Sequence, residues 1–200
     1  MAGIDLAGED EEMEDAALRA ARPRRDSTAV AIAQVGWREI LGVPEPHLRV
    51  VHFEWWTGRK HRELLPTLVD LVRGVWPCTS VVVDATGVGA GIASFLVGAL
   101  GPEVVHPFTF SAVSKSALGY QFLGAINSGR LRVQPDGGAA VPEFWKQAHL
   151  ARSTMHANQR LTFYVEPRDG HDDLLIAVAL AVEAGQYSRP RIASGRMARR

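Results

Sequence analysis

The sequence predicts an α/β fold: a mixed sheet, an antiparallel meander plus parallel strands, with helices on both faces. Three observations lead there. Strand-like segments come first, AGIDLAG (2–8), STAVAIAQVG (27–36) and LRVVHFEWW (48–56). From residue 59 onward helical and strand patterns alternate, as in βαβ units. TSVVVDA (79–85) is a continuous apolar run, typical of a strand buried on both faces.

Each element has its own warrant. In 2–8, Ile4 and Leu6 point to one face and Gly3, Asp5 and Ala7 to the other, because side chains alternate along a strand. EDEEMEDAALRAARPRR (9–25) is a charged insertion, a helical piece or a long hairpin ending near Pro23. Small and β-branched residues return the chain as a second strand, and the third ends on Trp55 and Trp56. In 59–75, Leu64, Leu65, Leu68, Leu71 and Val72 recur at helical spacing, with Pro66 marking a first turn or a kink. After strand 79–85 come a helix (89–100), a strand (103–110) and a helix (114–129) capped by Ser114 and closed by Gly129. A short strand and turn (130–138), a helix (141–152), a strand (160–166) and a nearly all-apolar last helix (170–185) complete the chain. There is no internal repeat.

The 200 residues, 46% hydrophobic, suit one domain (1–185, with 9–25 as the insertion) followed by a basic tail (186–200). A net charge of +0 leaves any nucleic-acid contact to local patches. The single cysteine, Cys78, allows no intrachain disulfide and reads as a core thiol in a reducing compartment. The N-terminus lacks the pattern of a signal peptide and no run is apolar enough to span a bilayer, so no membrane partner is expected.

The chemistry lies in the acids. Aspartate is a poor strand former, so Asp5 inside one apolar strand and Asp84 at the end of another each need a reason. The small neighbours Gly3 and Ala7 leave room beside Asp5. Asp172 and Asp173 open a helix apolar on nearly every side, hence buried. Singly, Asp5 also reads as a turn cap or an arginine partner, Asp84 as the start of the next turn, and Asp172 and Asp173 as helix-capping acids. If they converge, mutual repulsion calls for a cation, and all-oxygen ligands suit Mg²⁺ or Mn²⁺. Two such ions about 3.5–4 Å apart serve phosphoryl transfer, with a phosphodiester as substrate. The run TGVGAG (86–91) lacks a phosphate-loop lysine and the dinucleotide spacing. It reads as a tight turn that lets backbone pass close to Asp84, with a phosphate site at the helix N-terminus as the other reading. Arg59, Lys60, Arg62, Lys115 and the tail arginines (189, 191, 196, 199 and 200) are candidate DNA-backbone contacts or solvated faces. His171 reads as a proton shuttle or a structural histidine. Trp55 and Trp56 read as base-stacking residues, with at least one in the core.

Three antiparallel strands leading into βαβ units is the order of the ribonuclease H-like fold. GIDLAG, DSTAVAIAQV, VVVDATGVGAGIASFL, KSALGYQFLGAINSGRLRV and GHDDLLIAVALA, in that order, resemble the nuclease domain of phage large terminase subunits, over roughly Gly3 to Ala184. The resemblance implies a ribonuclease H-like fold and cleavage of double-stranded viral DNA during genome packaging with two divalent metals. It makes Asp5 the first-strand ligand, Asp84 the middle ligand and Asp172 the helix ligand, with Asp173 sharing or supporting that role. It also implies as partners an ATPase motor domain or subunit, the small terminase and the portal, in the host cytoplasm. Two features depart from the family. The charged insertion separates the first two strands, which puts Asp26 in question as a site neighbour. There is no GxxxxGK[ST] motif and no room for an ATPase domain. The expectation is an excised or separately encoded nuclease, able to cut DNA but not to move it. The rival readings are a Holliday-junction-resolvase-like nuclease of the same fold and a non-catalytic DNA-binding or motor-docking module. A third is one half of an actin- or sugar-kinase-type ATPase, which would need a second related half and another phosphate loop.

Overall fold

The structure is a computed structural model, which describes residues 1–7, 27–40 and 42–188. In chain order the elements are β1 (Ala2–Asp5), β2 (Ser27–Ile40), β3 (Val43–Thr57), α1 (His61–Val69), β4 (Val81–Asp84), α2 (Gly89–Leu100) and β5 (Val105–Phe108). There follow α3 (Ala112–Asn127), β6 (Leu131–Val133), α4 (Val141–Leu150), β7 (Arg152–Met155), β8 (Leu161–Tyr164) and α5 (Asp173–Tyr187). The predicted insertion (9–25) and most of the predicted tail (189–200) lie outside the described residues. Gln186 and Tyr187 close α5.

Among the described residues the sheet has six strands, in the order β5-β4-β1-β2-β3-β6. β1, β2 and β3 form the expected antiparallel meander, and β4, β5 and β6 add in parallel. Alternation along the strands sorts the core onto two faces. Ile4, Val30, Ile32, Val81 and Val83 pack with Leu64 and Leu68 of α1 and Ile92 and Leu96 of α2. Ala29, Ala31, Ala33, Val50 and Val82 pack with α5 and with Leu118, Phe122 and Phe144 of α3 and α4. This is the mixed, doubly covered sheet of the ribonuclease H-like fold. Cys78 is partly buried against the first group.

Every residue of α5 from Asp173 to Val182 is buried, as its apolar sequence requires. It lies on β1 at backbone distance. A Cβ added at Gly3 would overlap the Ala177 carbonyl oxygen and the Ala181 nitrogen, and would stand 2.8 Å from the Leu180 carbonyl carbon. The space beside Gly3, expected to serve something next to Asp5, is therefore filled by the helix.

Three details differ from expectation. The cap of α3 is Ser111, whose backbone is extended; Ser114 is its third residue and completes a capping box, with the Ser114 N–H donating to Ser111 Oγ at 3.1 Å and the Ser111 N–H to Ser114 Oγ at 2.8 Å. Pro66 sits inside α1, which widens into π-helical turns over Asp70–Val75; the Trp76 N–H reaches back to the Leu71 carbonyl. β7 was not predicted. It is exposed throughout and pairs with β8 in a separate two-stranded ribbon. Among the described residues no helix is long and apolar enough to cross a membrane.

Candidate functional site

Two geometric facts bring the predicted acids together. β1 and β4 are parallel neighbours, paired Ala2 with Val81, Gly3 with Val82 and Ile4 with Val83. The next step of that register is Asp5 and Asp84, at the carboxyl ends of adjacent strands. The second fact is the helix crossing. Gly3 sits between Ala177 and Ala181 of α5. Two strand residues advance about 6.8 Å and a helix rises about 1.5 Å per residue, so Asp5 lies roughly 4–5 helix residues further along. That reaches the first turn of α5, where Asp172 and Asp173 are. Asp5, Asp84, Asp172 and Asp173 accordingly line one pocket of 270 Å³, together with Phe110 and with Lys115 from the start of α3.

Among the described residues, four carboxylates and one lysine line it. Burial pushes the Asp5 carboxyl well above its usual range, and Asp173, Asp84 and Asp172 push it further, with Lys115 opposing. Burial also raises Asp84, partly offset by hydrogen bonds from Thr86. Asp84 Oδ1 accepts the Thr86 N–H at 2.8 Å, and Thr86 Oγ1 accepts the Phe110 N–H at 2.8 Å. Asp84 thus also begins the turn, as its simpler reading had it. Gly87 takes φ 56, and a Cβ at Gly89 would meet the Asp84 carbonyl oxygen at 2.8 Å. The glycines fold the chain tightly behind Asp84.

At the helix, Asp172 occupies the N-cap position but its side chain makes no capping bond. Asp173 Oδ2 accepts the Trp55 indole N–H at 3.3 Å. Trp55 is partly buried against the α5-side core, as expected of at least one of the two tryptophans, and its indole steadies an acid. The helix cap comes from a residue the sequence did not single out. Gln147 of α4, 1% exposed, accepts with Oε1 from the N–H groups of Leu174 at 2.9 Å and Leu175 at 3.3 Å. The available signal was a glutamine on the apolar Val141–Phe144 face of an amphipathic helix.

Other candidates lie elsewhere. Arg59 and Lys60 are exposed between β3 and α1, off the pocket lining; the Arg59 guanidinium stands 5.8 Å from the Trp56 ring centroid. Trp56 packs on the α1–α2 side, and Arg62 borders an apolar pocket of 660 Å³ between α1 and α2, away from the acids. His171 is half-buried and outside the acidic lining. Asp26 and the tail arginines are not among the described residues.

The donor set is all oxygen and over-charged, which suits a hard divalent cation. Among the described residues, however, no three His, Cys, Asp or Glu side chains form a ready-made ion cage. The fit is one of chemistry and placement, not of preformed coordination.

The charge excess has a measurable consequence. Unfolded, Asp5 releases its proton near 3.8; folded, well above that. Between those values the folded state binds more protons, so stability falls as pH rises through the window and stays lower above it. Asp5→Asn, which removes the charge and keeps the shape, is expected to raise the melting temperature at pH 7. The gain should vanish below pH 3.8. Thermal melts across pH check this, and equal destabilisation at every pH would contradict it.

No protein-family profile and no curated protein matches this sequence. Solved structures do match its fold. The large terminase nuclease of the thermophilic phage G20c superposes with a TM-score of 0.58 at 17% identity, over 91% of this chain and 80% of that one. The large terminase nuclease domain of Thermus phage P74-26 gives 0.51 at 19%, over 76% and 78%. A variant nuclease domain of the large terminase subunit of bacterial virus Sf6, with manganese and β-thujaplicinol, gives 0.60 at 10%, over 95% and 88%. At these identities the likeness is one of fold.

Proposed function

We propose that this chain is a metal-dependent endonuclease that cuts double-stranded DNA during viral genome packaging. The observation that carries the reading is one pocket, at the carboxyl ends of β1 and β4, lined by acids from sequence positions 5, 84, 172 and 173. Its support from comparison is the shared fold with three large terminase nucleases, one of them with manganese. Asp5, Asp84 and Asp172 would hold divalent cations, Mg²⁺ or Mn²⁺ and two in number, with Asp173 assisting. Such ions, when bound, supply an activated water and offset charge on the leaving oxygen of a phosphodiester. The chain's own groups do the rest. Trp55 and Gln147 fix the turn that carries two of the acids. Lys115, which lines the same pocket, would meet a DNA phosphate. Arg59 and Lys60 are more distant candidates for backbone contact. The domain is taken as residues 1–185, and its partners as an ATPase motor domain or subunit, the small terminase and the portal, in the host cytoplasm.

Cleavage of linear, supercoiled and branched DNA with Mn²⁺ or Mg²⁺ tests this. Comparable cutting of linear and supercoiled duplex is expected. Cutting confined to branched DNA would replace the reading with a junction resolvase. No cutting, with no metal uptake by calorimetry, would leave a non-catalytic DNA-binding or docking module.

A further inference from the structure

We infer that Gln147 is a positioning residue that takes over the capping of α5 and so releases Asp172 into the acidic pocket. The inference rests on the proposed metal role of that pocket, but its structural half stands apart from it.

The argument begins with what a helix N-terminus needs. Its first N–H groups have no partner within the helix, and an aspartate at the N-cap ordinarily accepts from the N–H of the second or third helical residue. In α5 the N-cap is Asp172, and those two donors belong to Leu174 and Leu175. Both go to Gln147 Oε1 instead, at 2.9 and 3.3 Å, across 27 and 28 residues of sequence. The amide orientation follows from the partners, since two N–H donors need the oxygen, not the NH₂. Asp172 makes no capping bond and lines the pocket with Asp5 and Asp84.

The arrangement is costly as mere capping. Gln147 is buried, and its Nε2 has no hydrogen-bond partner among the described residues. An aspartate cap would satisfy the same two N–H groups without burying an unpaired donor. What the glutamine adds is an Asp172 carboxylate not used as a cap, in a pocket with three others. Asp172 has two competing uses, capping its own helix or facing the pocket, and Gln147 removes the first.

A thermal cycle tests this without any appeal to activity. With Gln147 in place, Asp172→Ala is expected to leave the melting temperature unchanged or to raise it, because it removes a charge that repels its neighbours and breaks no cap. In Gln147→Met, of similar size but without the acceptor, Asp172 is expected to turn back and cap α5. Asp172→Ala should then lower the melting temperature by several degrees. Gln147→Asn, one carbon shorter, keeps the amide but withdraws the acceptor from Leu174 and Leu175 and should reverse the sign in the same way, which keeps the test decisive if Gln147→Met folds poorly. The second readout is Mn²⁺ binding by calorimetry, in which Gln147→Met should weaken binding about 10–100-fold, the usual cost of losing a group that orients a ligand. An Asp172→Ala effect of one sign in all three backgrounds would overturn the inference. So would unaltered Mn²⁺ affinity in Gln147→Met. If the wild type takes up no Mn²⁺, the metal reading of the pocket fails, and the thermal cycle still decides the role of Gln147.

Discussion

Asp84→Ala is expected to abolish DNA cleavage, by on the order of 10³-fold or more, and to leave the fold standing. The activity loss follows from position. Asp84 is the acid beside Asp5 in the strand register, and no other carboxylate on β4 can replace it. Removing a single hydrogen-bond donor from an oxyanion hole costs about 10²–10³-fold where such losses have been measured. A direct metal ligand stands at or beyond the upper end of that range. The folding side nearly balances. The substitution loses the hydrogen bond from the Thr86 N–H, a net contribution of about 1 kcal/mol. It also removes a partly buried carboxylate that raises the proton affinity of Asp5. Asp84→Asn separates the two effects, because its amide oxygen still accepts from Thr86 while the charge is gone; it should be as inactive as alanine and at least as stable. Circular dichroism and a supercoiled-plasmid nicking assay measure both halves. Undiminished Mn²⁺-dependent nicking by either variant would remove Asp84 from the catalytic set and with it the reading of the pocket.

What the sequence disclosed, and what it hid, divides along the range of the interactions. Asp5 and Asp84 were visible because an aspartate in an apolar strand contradicts its surroundings locally, and the α5 acids because a wholly apolar helix has to be buried. The alternation of Ile4 against Gly3 and Asp5 sorted the two faces of β1 correctly. Asp172 stayed ambiguous between cap and ligand for a physical reason: its choice depends on Gln147, on another helix, and no local pattern reports that. The pattern leaves open which of Trp55 and Trp56 is core and which could stack on a base, because the partner of Trp55, Asp173, lies 118 residues away. Ser111 lost to Ser114 as the predicted cap because both serines can cap, and only the extended backbone of Ser111 distinguishes them. β7 carries no apolar residue on a buried face, so it has no period to read. The small side of β1 at Gly3 reads as vacancy from sequence, whereas helix backbone occupies the space.

That last point yields the largest stability effect expected of any single substitution here. Gly3→Ala adds one carbon, yet the structure has no room for it: the new atom would overlap the Ala177 carbonyl and the Ala181 amide, with Leu180 backbone at 2.8 Å. A clash against a flexible side-chain tip relaxes cheaply, but these atoms belong to a helix buried from Asp173 to Val182. To make room, α5 has to lift from β1, and it also packs on β2, β3 and β4. Overpacking a core costs about 1–3 kcal/mol and occasionally more; against fixed backbone on a central helix, a loss of about 3 kcal/mol or more is expected. The entropic gain from replacing glycine, about 0.5–1 kcal/mol, does not offset this. Gly98→Ala in α2 is the matched control, because nothing lies within 4 Å of its added atom; it should be neutral or slightly stabilising. Urea titration of the pair measures the difference. The same displacement bears on chemistry, since α5 carries Asp172 and Asp173, and lifting it from Gly3 draws both away from Asp5. Whatever fraction of Gly3→Ala stays folded should therefore bind Mn²⁺ more weakly than wild type. A Gly3→Ala protein with wild-type stability would mean that the helix does not lie on the strand at backbone distance, and the contact that sets Asp5 against the first turn of α5 would be lost as an explanation.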